Sequence, residues 1–433
     1  MNHILYLPTR FFPAISGAEL YFQRMADILT TKFNYKIDIF TSNAIDFKAL
    51  RNSSGKILSP NNKYFDQVNN LNVKRFPVNY KTSPIEMLNT LKTIPAYNKL
   101  NLNDASLELF IKNGPYLSDL LSFLLNKPNI NYDLIHSTFF PYFNCIISLI
   151  IGTFINKPVI CTPFFHFSNP RYSDPKMIDV LKKFDLLIAC TQLEKNYLIK
   201  KCAISPEKIK VIPMGVDYSK FKNPLKASSE GYSFKQKFFN KKEKKYKLIL
   251  FCGYKNYEKG AISILKAIPN ILKKISKVYF VFIGPSTIAF NQELSKVSKL
   301  EKARIINFTP DNLTGYFDKK KISAFKEADI YLMPSRSDAF GISFLEAWSA
   351  GIPVVGARIG ATPEVIRENI DGLLVEFDNP QDIAKKIIFL LKNKRIRKKY
   401  GSAGQIKVYK KFTWDIISKE THYTYQNLIK KYN

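Results

Sequence analysis

Short apolar runs alternate along this chain with longer stretches of helical period, a pattern that predicts α/β architecture with parallel sheets. In the first half it places strands at 4–7, 36–40, 133–136, 158–161, 186–189 and 210–212. An amphipathic helix is expected at 18–33, after a loop ending in Ser16 and Gly17. Residues 45–130, rich in Asn, Pro and Tyr, yield only a strand near 73–77 plus helices. Variable material of that kind on a scaffold commonly carries acceptor or partner specificity. Between 218 and 246 the alternation gives way to polar and basic residues, which predicts a linker. It restarts with strands at 248–252, 278–283, 304–307, 330–333, 353–356 and 373–375, and helices at 259–275, 320–328, 342–350 and 380–392. No internal repeat is evident. The expected organisation is two Rossmann-like domains, 1–217 and 247–412, with a ligand at the C-terminal strand ends in the cleft between them.

Composition adds three constraints. A length of 433 residues with 46% hydrophobic content suits two domains with sizeable cores. Lys and Arg number 66 against 35 Asp and Glu, a formal charge of +31 that favours anionic partners. The densest basic stretches, 235–247 and 392–399, do not interleave aromatic with basic residues as base stacking requires, so nucleic acid is not expected. Five cysteines at 145, 161, 190, 202 and 252 form no CxxC pair, which predicts buried free thiols in a reducing compartment. The N-terminal stretch lacks a basic segment followed by a sustained apolar one, so no secretory signal is expected. The most apolar run, 145–155, is too short to span a bilayer and reads as a buried helix. A cytoplasmic chain follows, with peripheral contact at the inner face of an anionic membrane as a further expectation.

The chemistry concentrates in Pro334-Ser335-Arg336-Ser337-Asp338-Ala339-Phe340-Gly341-Ile342-Ser343-Phe344-Leu345-Glu346-Ala347, which follows a strand and enters a helix. A glycine at that junction lets backbone approach a phosphate, and the N–H groups of the first helical turn from Gly341 to Phe344 point at it with the helix dipole behind them. Asp338 and Glu346, on either side of the turn, are poorly suited to phosphate but suited to sugar hydroxyls. An acidic N-cap and an ordinary helix glutamate are the plainer readings of the same two residues.

This block resembles the acidic signature of the retaining family 4 glycosyltransferases, the glycosyl transferases group 1 type. That signature sets two acidic residues eight apart around an F-G turn and continues as EA-x-x-x-G-x-P-V. Here Glu346-Ala347 and Gly351-Ile352-Pro353-Val354-Val355 supply the continuation, followed by Gly360-Ala361-Thr362-Pro363-Glu364 and Asp371-Gly372-Leu373-Leu374-Val375. The resemblance implies the GT-B fold, Asp338 facing the transferred sugar and Glu346 the nucleotide ribose. Phe340, Gly341, Ile342 and Ser343 would line the donor. Asp338 departs from the more usual glutamate and retracts the carboxylate by roughly one bond length, which geometry-sensitive recognition feels.

A second match, Gly253-Tyr254-Lys255-Asn256-Tyr257-Glu258-Lys259-Gly260, resembles the family's G-R-L-x-x-x-K-G, whose Arg and Lys clamp the donor diphosphate. Lys259 is retained. Tyr254 replaces the Arg and cannot supply charge or a bidentate fork. Either Lys255 or another cation substitutes, or the diphosphate is held less tightly. Ser16-Gly17-Ala18-Glu19 resembles the G-G-x-E turn, with Gly17 as its backbone-approach position. His166, just after a strand, matches a family histidine that faces the reacting sugar, and His136 matches a supporting position. Ile212-Pro213-Met214-Gly215-Val216-Asp217 and Phe412-Thr413-Trp414-Asp415 resemble the turn ending the first domain and the start of a last helix, 413–433, that returns to it.

The implied activity is transfer of a sugar from a nucleoside diphosphate to a glycan or lipid-linked acceptor, with retention. No cofactor or metal is expected, since no D-x-D occurs. Leaving-group charge would be met by Lys259 and backbone N–H groups. A sugar-nucleotide epimerase of the same architecture is the alternative. A dinucleotide oxidoreductase is disfavoured because G-x-G-x-x-G is missing after either first strand.

Overall fold

The β-branched and aromatic runs pair into two sheets. A computed structural model describes residues 1–59, 67–68, 71–127, 131–166, 172–222 and 233–432. The chain divides into one unit of residues Met1–Pro213 and Trp414–Asn433 and a second of Met214–Thr413.

In the first unit the strands are β1 (His3–Leu7), β2 (Lys36–Ser42), β3 (Gln67–Val68), β4 (Leu71–Phe76), β5 (Leu134–Ser137), β6 (Val159–Cys161), β7 (Leu186–Ala189) and β8 (Ile209–Val211). Their order is β3-β4-β2-β1-β5-β6-β7-β8, parallel except for the β3–β4 pair. The sequence order reverses direction between β1 and β5, which opens a crevice at their C-terminal ends. Helix α1 (Gly17–Phe33) follows β1, capped by Ser16, whose hydroxyl accepts from the Ala18 N–H at 3.3 Å. The apolar run becomes α2 (Asn144–Ile155), buried on every side from Asn144 to Gly152, as a helix with no polar face must be. Residues 84–125 form four helices, Pro84–Lys92, Pro95–Leu100, Asp104–Asn113 and Ser118–Leu125. Their Leu91, Leu107, Phe110 and Leu124 join the core around α2. The terminal helix Trp414–Tyr432 belongs to this unit, with Tyr425 hydrogen-bonded to Tyr6 at 3.0 Å.

In the second unit β9 (Lys247–Cys252), β10 (Val278–Ile283), β11 (Ile305–Phe308), β12 (Ile330–Met333), β13 (Val354–Ala357) and β14 (Gly372–Val375) form an all-parallel sheet ordered β11-β10-β9-β12-β13-β14. Here the reversal lies between β9 and β12. The helices that bear on function are α3 (Ala261–Lys274), α4 (Lys319–Glu327), α5 (Ile342–Ser349) and α6 (Lys394–Lys411). The sequence pattern missed α6, because Gly401 and Gly404 depress helix propensity. Both glycines serve close packing instead: a Cβ on Gly401 would lie 2.0 Å from the Gly351 carbonyl, and one on Gly404 1.8 Å from Trp348.

The stretch read as a linker contains two short α-helices among its described residues. Tyr218–Phe221 and Phe234–Phe238 are helical and count with the second unit, whereas 223–232 lie outside the described residues. Cys145, Cys161, Cys190 and Cys202 are buried and Cys252 half-buried, all free thiols. Among the described residues no helix is long and apolar enough to cross a membrane.

Candidate functional site

The two motifs of the second half fall on the loops after β9 and β12, side by side at the point where the strand order reverses. Several contacts stitch those loops together. The Lys259 ammonium donates to the Ser337 carbonyl at 2.8 Å and pairs with Asp338 Oδ1 at 2.6 Å. The Arg336 N–H donates to the Glu258 carbonyl at 2.8 Å, and its guanidinium forms a bidentate pair with the Glu258 carboxylate. Gly260, at φ 72°, leaves no room for a side chain, since a Cβ would stand 2.3 Å from the Pro334 carbonyl oxygen.

Gly341 opens α5 in the left-handed region at φ 91° and makes no side-chain cap. Asp338 therefore does not act as the N-cap, and that plainer reading of it falls away. Of the first-turn N–H groups of α5, that of Phe344 donates to the Gly341 carbonyl at 3.0 Å, whereas those of Ile342 and Ser343 have no preceding helical carbonyl to meet and carry the positive end of the helix dipole. Phe340 is buried edge-on against Phe412 at 5.5 Å, and Ile342 is also buried. Ser343 sends its hydroxyl toward the Met333 sulfur at 3.6 Å. The apolar side chains of Phe340 and Ile342 are thus turned into the fold. The Asp338 side chain is 15% exposed. Its Oδ2 is buried and has no hydrogen-bond partner among the described residues. Such an unspent acceptor is costly unless something comes to meet it.

Glu346, on α5, is 1% exposed and pairs with Lys321 from α4 at 2.8 Å. Burial pushes its carboxyl above the usual range, and the Lys321 ammonium pulls against that rise. Lys321 was absent from the sequence reading, which would treat Lys319-Lys320-Lys321 as a solvated run. Its signal was register: Lys321 precedes the buried Ala324 and Phe325 by three and four residues, on the inward face of α4.

Tyr254 and Lys255 divide as neighbours on an extended segment do. Tyr254 is 44% exposed. Lys255 is fully buried, and its ammonium donates to the Asn307 side chain and to the Phe308 carbonyl at 2.9 Å. Desolvation pulls its pKa down to about 8. Of the alternatives for the missing arginine, these contacts weigh against Lys255 and leave another cation or a less tightly held diphosphate. The Lys255 charge is spent tying the loop after β9 to the end of β11, and no exposed part of it remains for a phosphate.

The first unit holds the remaining candidates. Gly17 is the first residue of α1, beside a small pocket lined by Pro8, Thr9, Arg10, Ala18, Glu19, Thr138 and Phe139. A buried Arg10–Glu19 pair at 2.8 Å braces that loop. His166 is half-buried, its ring 5.0 Å from Tyr172 and 6.3 Å from Phe139 between centroids. His136 is fully buried, bonded to Thr162 Oγ1 at 2.8 Å and to the Tyr425 hydroxyl. Burial lowers its pKa to about 3, so it is a neutral structural group.

Two sheets of this order, each with its crevice at the reversal, define the GT-B class. Solved structures bear out the fold. The Anabaena protein HepE in complex with UDP-glucose aligns with a TM-score of 0.71 at 16% identity, covering 98% of this chain and 99% of that one. The sucrose-phosphate synthase of Thermosynechococcus elongatus aligns with a TM-score of 0.70 at 15% identity and 100% of both chains. The family profile described as Glycosyl transferases group 1 matches residues 233–407, and that of Glycosyltransferase Family 4 matches 100–220. The chain belongs to the group 1, family 4 glycosyltransferases. Among curated relatives, an uncharacterized glycosyltransferase of Methanocaldococcus jannaschii is 28% identical over 58% of this chain and 64% of the relative. The D-inositol 3-phosphate glycosyltransferase of Segniliparus rotundus is 25% identical over 53% of this chain and 49% of its own length. The phosphatidyl-myo-inositol mannosyltransferase of Mycobacterium tuberculosis is 28% identical over 50% of this chain and 53% of its own. The chain thus spans about half to two-thirds of the length of these relatives.

Proposed function

We propose that this chain transfers a sugar from a nucleoside diphosphate donor, with retention at the anomeric carbon, to a glycan or lipid-linked acceptor. The observation that carries this reading is the Asp338 carboxylate. One oxygen is held by Lys259 and the other is buried and unspent, beside the Gly341 entrance to α5. A diphosphate meets Lys259 and the α5 N–H groups, and the sugar's hydroxyls donate to Asp338. Glu346 accepts from the ribose. Family membership supports retention and a front-face attack in which the leaving phosphate helps to deprotonate the acceptor.

Lys259 and the helix N-terminus meet the leaving-group charge, so no metal or other cofactor enters this reading. His166 keeps the role implied by the resemblance, orienting or stabilising the sugar. Free thiols suit a cytoplasmic protein, the charge of +31 favours peripheral contact with an anionic membrane, and liposome flotation at moderate salt tests that contact.

A thermal-shift screen of sugar nucleotides tests the activity. A ligand at one hundred times its Kd stabilises the fold by about 2.7 kcal/mol, and the hit is then incubated with and without acceptors. Glycoside formation supports the proposal, whereas epimerisation of the donor alone would turn the assignment to an epimerase. If no sugar nucleotide shifts the melt, the site is misplaced.

A further inference from the structure

Lysine seldom lies inside a helical protein, because its ammonium is strongly hydrated and its stem normally carries it out to water. Lys321 is an exception. It is 5% exposed, whereas its neighbours Lys319 and Lys320 are exposed and half-exposed. Its ammonium sits 3.6 Å over the Tyr316 ring, with Phe221 and Phe325 at 5.6 and 5.8 Å. Three aromatic faces replace part of the lost hydration and restrict where the ammonium can go. The one carboxylate it is seen to pair with is Glu346, at 2.8 Å to Oε1.

We propose that Lys321 is a positioning residue that fixes Glu346 as an ionised acceptor for a ribose hydroxyl, so that the site separates ribonucleotides from deoxyribonucleotides. The inference rests on the reading that Glu346 meets the ribose. Its own content is that the discrimination depends on Lys321, which acts through Glu346.

The groups around Glu346 explain why a partner is needed. Burial drives its carboxyl toward the neutral acid, and Asp217 pushes in the same direction. The Tyr316 hydroxyl opposes them by hydrogen bonding. Cys252 on β9 and Tyr331 on β12 also face this region. Burial raises the Cys252 thiol to about 12 and lifts the Tyr331 phenol, so both keep their protons at neutral pH and bring no positive charge. Lys321 is therefore the cation that works against burial to favour the ionised form of Glu346. An ionised carboxylate only accepts hydrogen bonds. Lys321 engages Oε1, and a carboxylate, with about four lone-pair sites, keeps capacity to accept from a ribose hydroxyl beside its Lys321 and Tyr316 contacts.

The test measures binding of UDP, GDP and ADP, each with its 2′-deoxy and 3′-deoxy counterpart, by isothermal titration calorimetry on the full chain. For the diphosphate that binds, the native protein should favour the ribonucleotide over at least one deoxy form by about tenfold. Lys321→Met should weaken the ribonucleotide about tenfold, to the deoxy level, while deoxy binding stays within twofold. Lys321→Gln keeps a hydrogen-bond donor without the charge, and so tests the idea even if the methionine variant does not fold. Its ribose preference should be smaller than the native one at pH 6 and should grow as the pH rises, as Glu346 ionises unaided.

A cooperatively folded variant that keeps the native preference at pH 6 overturns the inference, as does equal loss of ribo and deoxy binding. If the native protein binds ribo and deoxy forms equally, the inference fails and the donor site stands. If it binds no nucleotide, the functional reading fails with it.

Discussion

Lys259→Met should separate diphosphate recognition from nucleoside recognition. The ammonium it removes lies 2.6 Å from Asp338 and 2.8 Å from the Ser337 carbonyl, with the lysine side chain 21% exposed. A hydrogen bond to a charged group contributes about 1.5–3 kcal/mol. Partial solvent access argues for the lower end of that range, equivalent to roughly a tenfold rise in Kd. The loss should fall on the nucleoside diphosphate and spare the bare nucleoside. Asp338 supplies the opposite sign, because its negative charge already occupies the cation that a phosphate needs. Asp338→Asn should tighten the plain diphosphate by about threefold, the scale of a partly exposed ion pair, and abolish the further affinity of the sugar-bearing donor. Calorimetric titration of nucleoside, diphosphate and sugar nucleotide against both variants reads all three effects. If Lys259→Met leaves the ratio of diphosphate to nucleoside affinity unchanged, the phosphate assignment is wrong.

Lys255→Met should change diphosphate affinity by less than about threefold, within the scale of an exposed charge contact, as measured in the same titration. It should also remove a stability increment. The Lys255 pKa is depressed to about 8 in the fold, so between pH 8 and the ordinary lysine value the unfolded chain binds more protons and stability rises with pH. Urea unfolding at pH 8 and 9.5 should show the native protein gaining about 1–2 kcal/mol that the variant lacks. His136, depressed to about 3 by burial, acts in the acid range. Stability falls as pH drops below about 6.5, by up to about 1.4 kcal/mol per pH unit, until the folded group titrates. Denaturation of His136→Asn from pH 4 to 7 should show a slope shallower by one proton. Gly404→Ala places a Cβ 1.8 Å from the Trp348 ring and should cost about 1–3 kcal/mol as overpacking, read as a lower urea midpoint with unchanged slope.

The sequence alone determined the alternation of strand and helix, because a strand buried on both faces must read as an apolar run and its covering helix as an amphipathic one. It also located the loops after β9 and β12, since the positive φ at Gly341 and the close approach at Gly260 are demands that few residues other than glycine can meet. What it could not give was the direction of the cations. Lys255, Lys259 and Lys321 are the same residue type in basic surroundings. The pleat turns Lys255 inward to the end of β11, the adjacency of β9 and β12 brings Lys259 to Asp338, and the inner face of α4 delivers Lys321 to Glu346. Those outcomes depend on which strands lie side by side and which helix face meets the sheet. Both are set by packing between segments far apart in the chain, so only the tertiary structure decided which lysine meets Asp338, which anchors a loop and which holds a buried acid.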